Sequence, residues 1–462
     1  MINQDTICAV STAPGVGGIA VIRVSGPQAI EICDKIFRPV KEGKELRNRK
    51  AYTLTYGQIV SEEGVLDDVV MALFKAPHSF TAEDTIEISC HGSIYIQQQL
   101  MQLLIKNGCR TALPGEFTQR AFLNGKMDLS QAEAVADLIA SDSAATHKLA
   151  MNQMRGAFSN ELISLRTELL NLTSLIELEL DFSEEEVEFA DREQLRTLAD
   201  TIYTLISKLA NSFSVGNAIK NGIPVALIGE TNAGKSTLLN VLLREERAIV
   251  SDIHGTTRDV IEDTINLRGL TFRFIDTAGI RDTQDKIESL GIERTYRKLE
   301  QASIVLWLID STRPVSEIEE QSGKILSKID TQKVILVFNK IDRIDEEQRN
   351  HLTALLPNFE RVFISAKEGI HTSELESLLV KTAALPEISA SDVIVTNVRH
   401  YEALLRAEEA IERVRNGLQT NLSGDFLSQD IRECMHYLGE ITGQISNDEI
   451  LGNIFLNFCI GK

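Results

Sequence analysis

The sequence has 462 residues, and at one domain per ~150 residues this length predicts about three domains. Its 43% hydrophobic and 25% charged content is typical of a soluble globular protein that buries several cores without a metal or disulfide staple. Lysine and arginine total 47 and aspartate and glutamate 67, so the net charge is −20. This balance argues against a protein whose main work is nonspecific nucleic-acid binding, so a polynucleotide partner requires a local basic patch or a helper protein.

The six cysteines are widely spread and include no C-x-x-C spacing. This distribution argues against a disulfide framework or a structural zinc site and fits a reducing cytosol. No apolar run approaches the ~20 residues of a membrane span, and the first residues lack the basic start of a secretory signal. We therefore expect a cytoplasmic protein without a membrane span. The cysteines are Cys8, Cys33, Cys90, Cys109, Cys434 and Cys459.

Residues 1–121 have the pattern of a mixed α/β domain. A helix is predicted over Ser93–Lys106, and the glycines at 15, 17 and 18 suit a tight turn between the first two strands. The predicted strands are Thr6–Val10, Ile19–Val24 and Val69–Phe74.

Residues 122–217 are poor in glycine and rich in helix formers, which predicts a helical domain. Five apolar residues recur at alternating steps of three and four, so they share one helical face and are expected to form the core of a bundle. The acidic run Asp181–Glu188 is interpreted as a solvated segment between helices. The five apolar residues are Leu162, Leu165, Leu169, Leu172 and Ile176.

Residues 218–382 alternate short apolar runs with helical patterns, which predicts a parallel sheet wrapped by helices. The chain then returns to helix over Tyr401–Asn416 and Asp430–Thr442. Because helical regions flank a compact α/β unit, we expect that unit to be inserted into the helical domain. The predicted strands are Ile223–Ile228, Phe272–Ile275, Ile304–Leu308, Val334–Phe338 and Val362–Ile364.

The segment Gly229–Ser236 matches G-x-x-x-x-G-K-[ST] directly after a predicted strand and before the helical run Thr237–Leu243. Glycines let backbone N–H groups close around phosphate oxygens, Lys235 reaches the terminal phosphates and Ser236 is a candidate ligand of Mg²⁺. The strand–loop–helix context makes a chance match improbable, so phosphate binding is predicted.

Four further segments follow in the order of a Ras-like GTPase: Gly255–Asp259, Asp276–Gly279, Asn339–Asp342 and the base-backing loop Ser365–Lys367. Asn339–Asp342 matches N-K-x-D, in which the Asp342 carboxylate accepts from guanine N1–H and the exocyclic amine. Asp276–Gly279 matches D-x-x-G, and upstream of it Thr257 is the second candidate ligand of Mg²⁺. Ile280 stands where Ras-type proteins carry the water-orienting glutamine, so another residue must position the attacking water.

The candidate GTP-binding residues are Asn232, Ala233, Gly234, Lys235, Ser236, Thr237, Ser251, Asp252, Ile253, His254, Gly255, Thr256, Thr257, Asp276, Thr277, Ala278, Gly279, Asn339, Lys340, Asp342, Ser365, Ala366 and Lys367.

Motifs outside this region give the whole chain a resemblance to the MnmE (TrmE) family of tRNA-modification GTPases. They are Asp5–Ile7, Pro14–Gly18, Arg23–Gly26, Ser79–Asp84, Glu87–Gly92, Pro114–Phe117, Arg120–Lys126 and the terminal Phe458–Lys462. The resemblance implies an N-terminal α+β domain (1–121) that binds folate and dimerises, a helical bundle domain (122–217 with 383–462) and an inserted Ras-like P-loop GTPase domain (218–382).

The resemblance also implies an activity. The family adds an aminomethyl-type or carboxymethylaminomethyl group at C5 of the wobble uridine of certain tRNAs, together with an FAD protein of the MnmG type, as a homodimer within a heterotetramer. A tetrahydrofolate derivative (5-formyl- or methylene-tetrahydrofolate) supplies the carbon. The family's folate-site positions fall on Arg23, Glu87, Lys126 and Lys462.

The resemblance also implies which groups replace the water-orienting glutamine and the arginine finger of Ras-type proteins. The family's G domains use K⁺ in place of an arginine finger, and its water-orienting acid falls on Glu288. Arg281 and Cys459 are further candidate catalytic residues. The implied K⁺ ligands are Asn232, Ser251, Ile253 and Thr256.

Two other interpretations stay open. A regulatory or ribosome-assembly GTPase switch predicts ribosome association and no folate affinity, and a folate-binding protein could use its GTPase only to gate domain closure.

The P-loop departs from the family pattern at Glu230–Thr231, which stands where the family carries a basic residue followed by proline. Glu230 would weaken nucleotide binding slightly by repulsion if its carboxylate faced the phosphates.

Overall fold

The computed structural model describes residues 5–41, 45–181, 192–230, 232–247, 263–275, 302–326, 334–383, 392–420, 422–445, 448–456, 458 and 460–461. The chain forms two compact units: unit 1 combines 1–140, 150–210 and 402–462, and unit 2 combines 141–149 with 211–401. The expected three-domain boundaries are not tested by this division and stay a prediction.

Unit 1 contains a seven-stranded sheet in the order β3-β4-β5-β6-β2-β1-β7. Neighbouring strands are antiparallel except β1 and β7, which are parallel. The strands are β1 (Ile7–Val10), β2 (Gly17–Ser25), β3 (Phe37–Pro39), β4 (Thr53–Ser61), β5 (Gly64–Phe74), β6 (Thr85–Gly92) and β7 (Arg110–Thr111).

One face of this sheet is buried and the other is largely open. Helices α1 (Ala29–Ile36) and α2 (Ile94–Lys106) cover the buried face, where Ile22, Met71 and Ile88 lie fully inside. Strand residues alternate between faces, so Arg23 and Glu87 belong to the opposite face. That face also carries exposed apolar side chains at Ile19, Leu54 and Tyr56.

The remaining helices of unit 1 include a bundle. All five residues of the predicted stripe on α6 are at most 2% exposed, so the predicted bundle core is confirmed. The helices wholly or partly in unit 1 are α3 (Glu116–Leu123), α4 (Leu129–Ala140), α5 (Ala144–Met154), α6 (Ala157–Asp181), α7 (Arg192–Asn221), α12 (Val398–Gln419), α13 (Gly424–Thr442) and α14 (Asp448–Leu456).

Unit 2 contains a six-stranded sheet in the order β13-β12-β11-β8-β10-β9. All neighbours are parallel except β9 and β10. The strands are β8 (Ile223–Ile228), β9 (Asp263–Leu267), β10 (Leu270–Ile275), β11 (Ile304–Asp310), β12 (Val334–Asn339) and β13 (Glu360–Phe363), and the helices confined to this unit are α8 (Lys235–Arg247), α9 (Val315–Leu326), α10 (Glu346–Ala354) and α11 (Thr372–Ala383).

Both faces of this second sheet are buried. In β11, Leu306 and Leu308 pack into one core cluster, whereas Val305, Trp307 and Ile309 pack into the cluster on the other face. Burial on both faces explains why its central strands are continuous apolar runs. The carboxyl ends of β8, β11 and β12 converge on one edge, which places the loops that follow them together.

The expected combination of an α+β unit, a helical bundle and a Ras-like α/β fold is confirmed. Several details differ from the sequence analysis. β13 begins two residues before the predicted strand, the predicted strands did not include β3, β6, β7 or β9, and the long hairpin of β4 and β5 was recognised only through Val69–Phe74. Residues 182–188 of the predicted acidic segment lie outside the described residues. Within the described residues, no helix has both the length and the apolar character needed to cross a bilayer.

Candidate functional site

The P-loop connects β8 to α8 through two glycines that no other residue could replace without strain. Gly229 has φ +148° and Gly234 has φ +103°. A side chain at Gly229 would clash with the carbonyl oxygen of Leu308, and one at Gly234 with the amide of Asn339. The motif glycines therefore serve a backbone that folds tightly against β11 and β12.

Lys235 stands at the first position of α8. Its Nζ donates to the carbonyl oxygens of Gly229 at 2.6 Å and Glu230 at 2.7 Å. Burial lowers the pKa of Lys235, and the nearby Glu230 charge opposes this shift. The ammonium thus lies over the loop whose N–H groups are placed to bind phosphate, and it can exchange these carbonyl partners for phosphate oxygens.

Asn339 joins three loops of the candidate nucleotide site. Its Nδ2 donates to the Ala233 carbonyl at 2.8 Å, and its Oδ1 accepts from the Ala366 N–H at 2.9 Å. The side chain is 3% exposed. A single buried amide therefore holds the P-loop, the N-K-x-D loop and the Ser365–Lys367 loop in register.

The two remaining N-K-x-D residues have separate partners. Lys340 has φ +67° and its Nζ lies 2.6 Å from Asp310 Oδ2. Asp342 Oδ1 accepts from the Ser365 hydroxyl at 2.6 Å, and this bond lowers the pKa of Asp342. The carboxylate is thus ionised and oriented as an acceptor, which is the chemistry that guanine N1–H and its amine require.

Ser236 and Thr237 follow in the exposed first turn of α8, and Asn232 lies in the loop at φ +68°, also exposed. Lys367 is exposed as well and lies 3.3 Å from Glu368. Oxygen donors in accessible positions suit hard cations, so Ser236 fits a Mg²⁺ ligand and Asn232 fits a ligand of an alkali cation. The other candidates of this site lie outside the described residues: Ser251, Asp252, Ile253, His254, Gly255, Thr256, Thr257, Asp276, Thr277, Ala278, Gly279, Arg281 and Glu288.

Unit 1 holds a second group of candidate residues. Arg23 and Glu87 face each other across β2 and β6, and their side chains form an ion pair at 2.8 Å. The Arg23 guanidinium also lies over the rings of Phe80 and Phe117, at 5.2 and 5.5 Å from the centroids. A cation, an anion and two aromatic faces thus meet on the open face of the sheet.

The C-terminal tail is anchored beside this sheet. Ser11 Oγ donates to the Gly461 carbonyl at 3.1 Å, and Gly461 at φ +93° lies too close to Val10 to accept a side chain. Lys126 follows α3, the helix that carries Phe117, and is exposed. Of the candidates in this region, Cys459 and Lys462 lie outside the described residues, although their neighbours place the tail next to β1.

A family model described as the MnmE helical domain matches residues 129–459, and one described as the GTP-binding protein TrmE N-terminus matches residues 6–126. A Bacteroides thetaiotaomicron protein named tRNA modification GTPase MnmE is 65% identical over 100% of both chains. A Flavobacterium johnsoniae protein of the same name is 54% identical, again over 100% of both chains. The chain belongs to the MnmE family of tRNA-modification GTPases.

The expected family and enzyme class, a GTPase of tRNA modification, are confirmed by this membership. Among solved structures, Era of Aquifex aeolicus in a complex with GDP·AlF₄⁻ is similar over 40% of this chain and 66% of that chain, with 33% identity and a TM-score of 0.26.

Glu230, the acidic residue in the P-loop of this MnmE-family chain, forms an ion pair with an arginine. Glu230 Oε2 lies 2.7 Å from Arg313 Nη2, and Gln321 of α9 donates to its other oxygen. The Glu230 carboxylate therefore points to α9 and to Arg313, which precedes that helix. The repulsion considered in the sequence analysis is reduced by this pairing, since the negative charge has a guanidinium beside it.

The sequence analysis missed an ionic network behind the MnmE-family motifs of unit 1. Arg120 of α3 is 7% exposed in its side chain and pairs with Asp5 at 2.6 Å, Glu116 at 3.0 Å and Glu83 at 3.2 Å. Arg110 pairs with the same Glu116 at 2.5 Å. Asp5, Glu83, Glu116 and Arg120 belong to motifs that carried the family resemblance, whereas Arg110 lies outside them. The opposite charges of these motif residues were the signal available in the sequence. The network fixes α3, and α3 supplies the Phe117 ring beneath Arg23.

Proposed function

We propose that this chain is a K⁺-stimulated GTPase that works with an FAD protein of the MnmG type on the wobble uridine of tRNA. In this reaction the pair adds an aminomethyl or carboxymethylaminomethyl group at C5 of that base. The observation that carries the proposal is the presence, in one chain, of an oriented guanine-accepting carboxylate and a charged site with two aromatic rings on the open face of the first sheet. Full-length similarity to proteins named tRNA modification GTPase MnmE supports the same conclusion.

Within the GTPase, this chain's residues bind and orient the nucleotide. The P-loop N–H groups and Lys235 hold the phosphates, and Asp342 accepts from the guanine edge. Because Ile280 has no hydrogen-bonding group, Glu288 is the residue proposed to orient the attacking water. Ser236 and Thr257 would hold Mg²⁺, and Asn232, Ser251, Ile253 and Thr256 would hold K⁺. Bound there, these cations supply the positive charge that an arginine finger supplies elsewhere.

The site on the open face of the first sheet is proposed to bind a tetrahydrofolate derivative. Glu87 accepts from the donor edge of a pterin, and the Phe80 and Phe117 rings offer flat apolar surface. Arg23, Lys126 and Lys462 provide positive charge for glutamyl carboxylates. We also propose catalytic roles for Cys459 in the terminal motif and for Arg281 at the nucleotide.

We further propose a homodimer within a heterotetramer, a cytoplasmic location and the three domains 1–121, 122–217 with 383–462, and 218–382. Exposed apolar side chains at Ile19, Leu54 and Tyr56 support a dimer through the open face of the first sheet, since water-exposed apolar surface of this kind favours association.

The purified full-length chain tests both halves of the proposal. We expect GTP turnover to be at least tenfold faster in KCl than in NaCl, and Asn232→Ala to reduce that ratio, because this variant removes an oxygen donor from the P-loop. In parallel, 5-formyl-tetrahydrofolate should bind to the wild type and not to Glu87→Ala. Equal rates in the two salts would refute the K⁺ assignment. Absent folate binding together with ribosome association would favour the regulatory switch.

A further inference from the structure

Positive charge in this acidic chain is concentrated in one stretch of unit 1. Residues 35–50 contain seven lysines and arginines and only two glutamates, although the whole chain has a net charge of −20. The stretch begins in the last turn of α1 and includes β3, which is the edge strand of the seven-stranded sheet. Such a local basic patch is what an acidic protein needs in order to contact a polynucleotide.

Part of this stretch lines a groove, here called the basic groove, with a volume of about 1040 Å³. Three cations from three separate elements line it: Lys35 of α1, Arg38 of β3 and Lys106 of α2. All three side chains are exposed. One concavity thus collects exposed positive charge from three elements, and lysine and arginine of this kind neutralise backbone phosphates.

The charges of the basic groove are only weakly compensated. Lys35 pairs with Glu31 at 2.9 Å, but both side chains are more than half exposed, and such pairs contribute little. Neither Arg38 nor Lys106 forms an ion pair with another residue that the structure describes. The two anions that line the groove, Glu62 and Glu63, lie in the turn between β4 and β5, so the cations of the groove outnumber its anions by three to two.

The groove also offers groups that contact bases and sugars. Tyr95 of α2 is 62% exposed, which leaves a ring face available for stacking. Gln99, Gln102 and Asn107 line the same wall and provide amide donors and acceptors. An aromatic face beside a row of cations is the combination that single-stranded nucleic acid binds.

We propose that the basic groove binds the sugar-phosphate backbone of tRNA, with Tyr95 stacking on an unpaired base. The proposal rests on the proposed function, which makes tRNA a substrate, and it assigns the contact to unit 1. The helix-end positions of Lys35 and Lys106 and the edge position of Arg38 also have structural explanations, in the helix dipole and in protection of a sheet edge. These explanations account for each cation singly and predict no RNA contact.

The test is binding of a fluorescently labelled tRNA transcript to the full-length chain, followed by anisotropy over a range of KCl concentrations. For Arg38→Gln with Lys106→Gln we expect the slope of log K against log salt to fall by about 2, one unit for each phosphate that is no longer neutralised. Tyr95→Ala should weaken affinity about tenfold and leave the slope unchanged. The matched control, Lys208→Gln with Arg432→Gln, removes two exposed cations elsewhere in unit 1 and should keep the wild-type slope.

The outcomes separate the two proposals. GTP turnover at the wild-type rate shows that the groove variants are folded. If the wild type binds tRNA and the Arg38/Lys106 variant keeps its slope, the groove is overturned while the proposed function stands. Loss of flavoprotein binding with unchanged tRNA affinity would also overturn it, in favour of a protein partner. If the wild type does not bind tRNA, the groove is overturned, while the proposed function is decided separately by mass analysis of wobble nucleosides.

Discussion

The two sheets of the chain build their sites in opposite ways. In unit 2 both faces of a parallel sheet are buried, so chemistry is confined to the loops at the carboxyl ends of β8, β11 and β12. In unit 1 the sheet is mostly antiparallel and one face is open, so Arg23 and Glu87 meet in the middle of strands. Each loop of the unit 2 site is a continuous run of residues that a motif can capture, whereas the residues of the sheet-face site are single positions on different strands.

This difference decides what the sequence could predict. The P-loop and the N-K-x-D loop were recognised from adjacent residues, and β8 was predicted at its observed bounds, since strands buried on both faces are unbroken apolar runs. Arg23 and Glu87 are 64 positions apart and were singled out only through the family resemblance. The bond from Asn339 to Ala233 and the pairing of Glu230 with Arg313 depend on loop geometry that no motif specifies.

The largest expected effect is a loss of GTP affinity at the site that the loops of unit 2 form. Asp342→Asn replaces an ionised acceptor with a neutral amide that presents an N–H to the guanine donors. Losing two charge-assisted hydrogen bonds should weaken GTP affinity roughly 100- to 10,000-fold. Fluorescent-nucleotide titration measures this effect. Ser365→Ala, which only removes the orienting hydroxyl, should cost about tenfold, and equal losses in the two variants would contradict the assigned roles.

A second expected effect concerns the network that supports the open face in unit 1. Glu116→Gln removes one of the two carboxylates that Arg110 and Arg120 share. Because Asp5 still pairs with both, the loss should be about 1–3 kcal/mol of the free energy of unfolding at pH 7, the cost of charge-assisted hydrogen bonds and not of an unpaired buried charge. Denaturant unfolding checks this value. Glu31→Gln, at an exposed ion pair, is the control and should leave the free energy of unfolding almost unchanged.

The same carboxylate predicts a pH dependence. Burial raises the pKa of Glu116, but the bonds from Arg110, the Leu113 N–H and Arg120 outweigh it, so the pKa lies below the usual value of 4.5. A lowered pKa in the folded state stabilises the fold above the unfolded-state pKa, and that contribution is lost as the pH falls through the folded-state value. Wild-type stability should therefore drop below about pH 4.5, and Glu116→Gln should show a shallower drop. Parallel acid profiles of the two proteins would contradict this role.

A smaller effect on GTP affinity is expected from the Glu230–Arg313 ion pair beside the P-loop. Arg313→Ala removes the counter-charge of Glu230, which then acts on the phosphates, and GTP should bind about two- to fivefold more weakly because Arg313 is 41% exposed. Glu230→Gln in the Arg313→Ala background should restore affinity, since no uncompensated charge remains. Isothermal titration of the wild type, the single variants Arg313→Ala and Glu230→Gln, and the double variant gives the coupling free energy between the two residues. Additive losses in the double variant would show that the ion pair has no role in nucleotide binding.

The most direct measurement is mass analysis of wobble nucleosides in tRNA from cells that lack this chain, complemented with the wild type or with Lys235→Ala. The wild type should restore an aminomethyl-type group at C5 of the uridine, and Lys235→Ala should leave that position unmodified although the protein is present. Nucleosides that do not change when the chain is removed would contradict its role in the modification. Full modification with Lys235→Ala would show that the nucleotide site does not drive it.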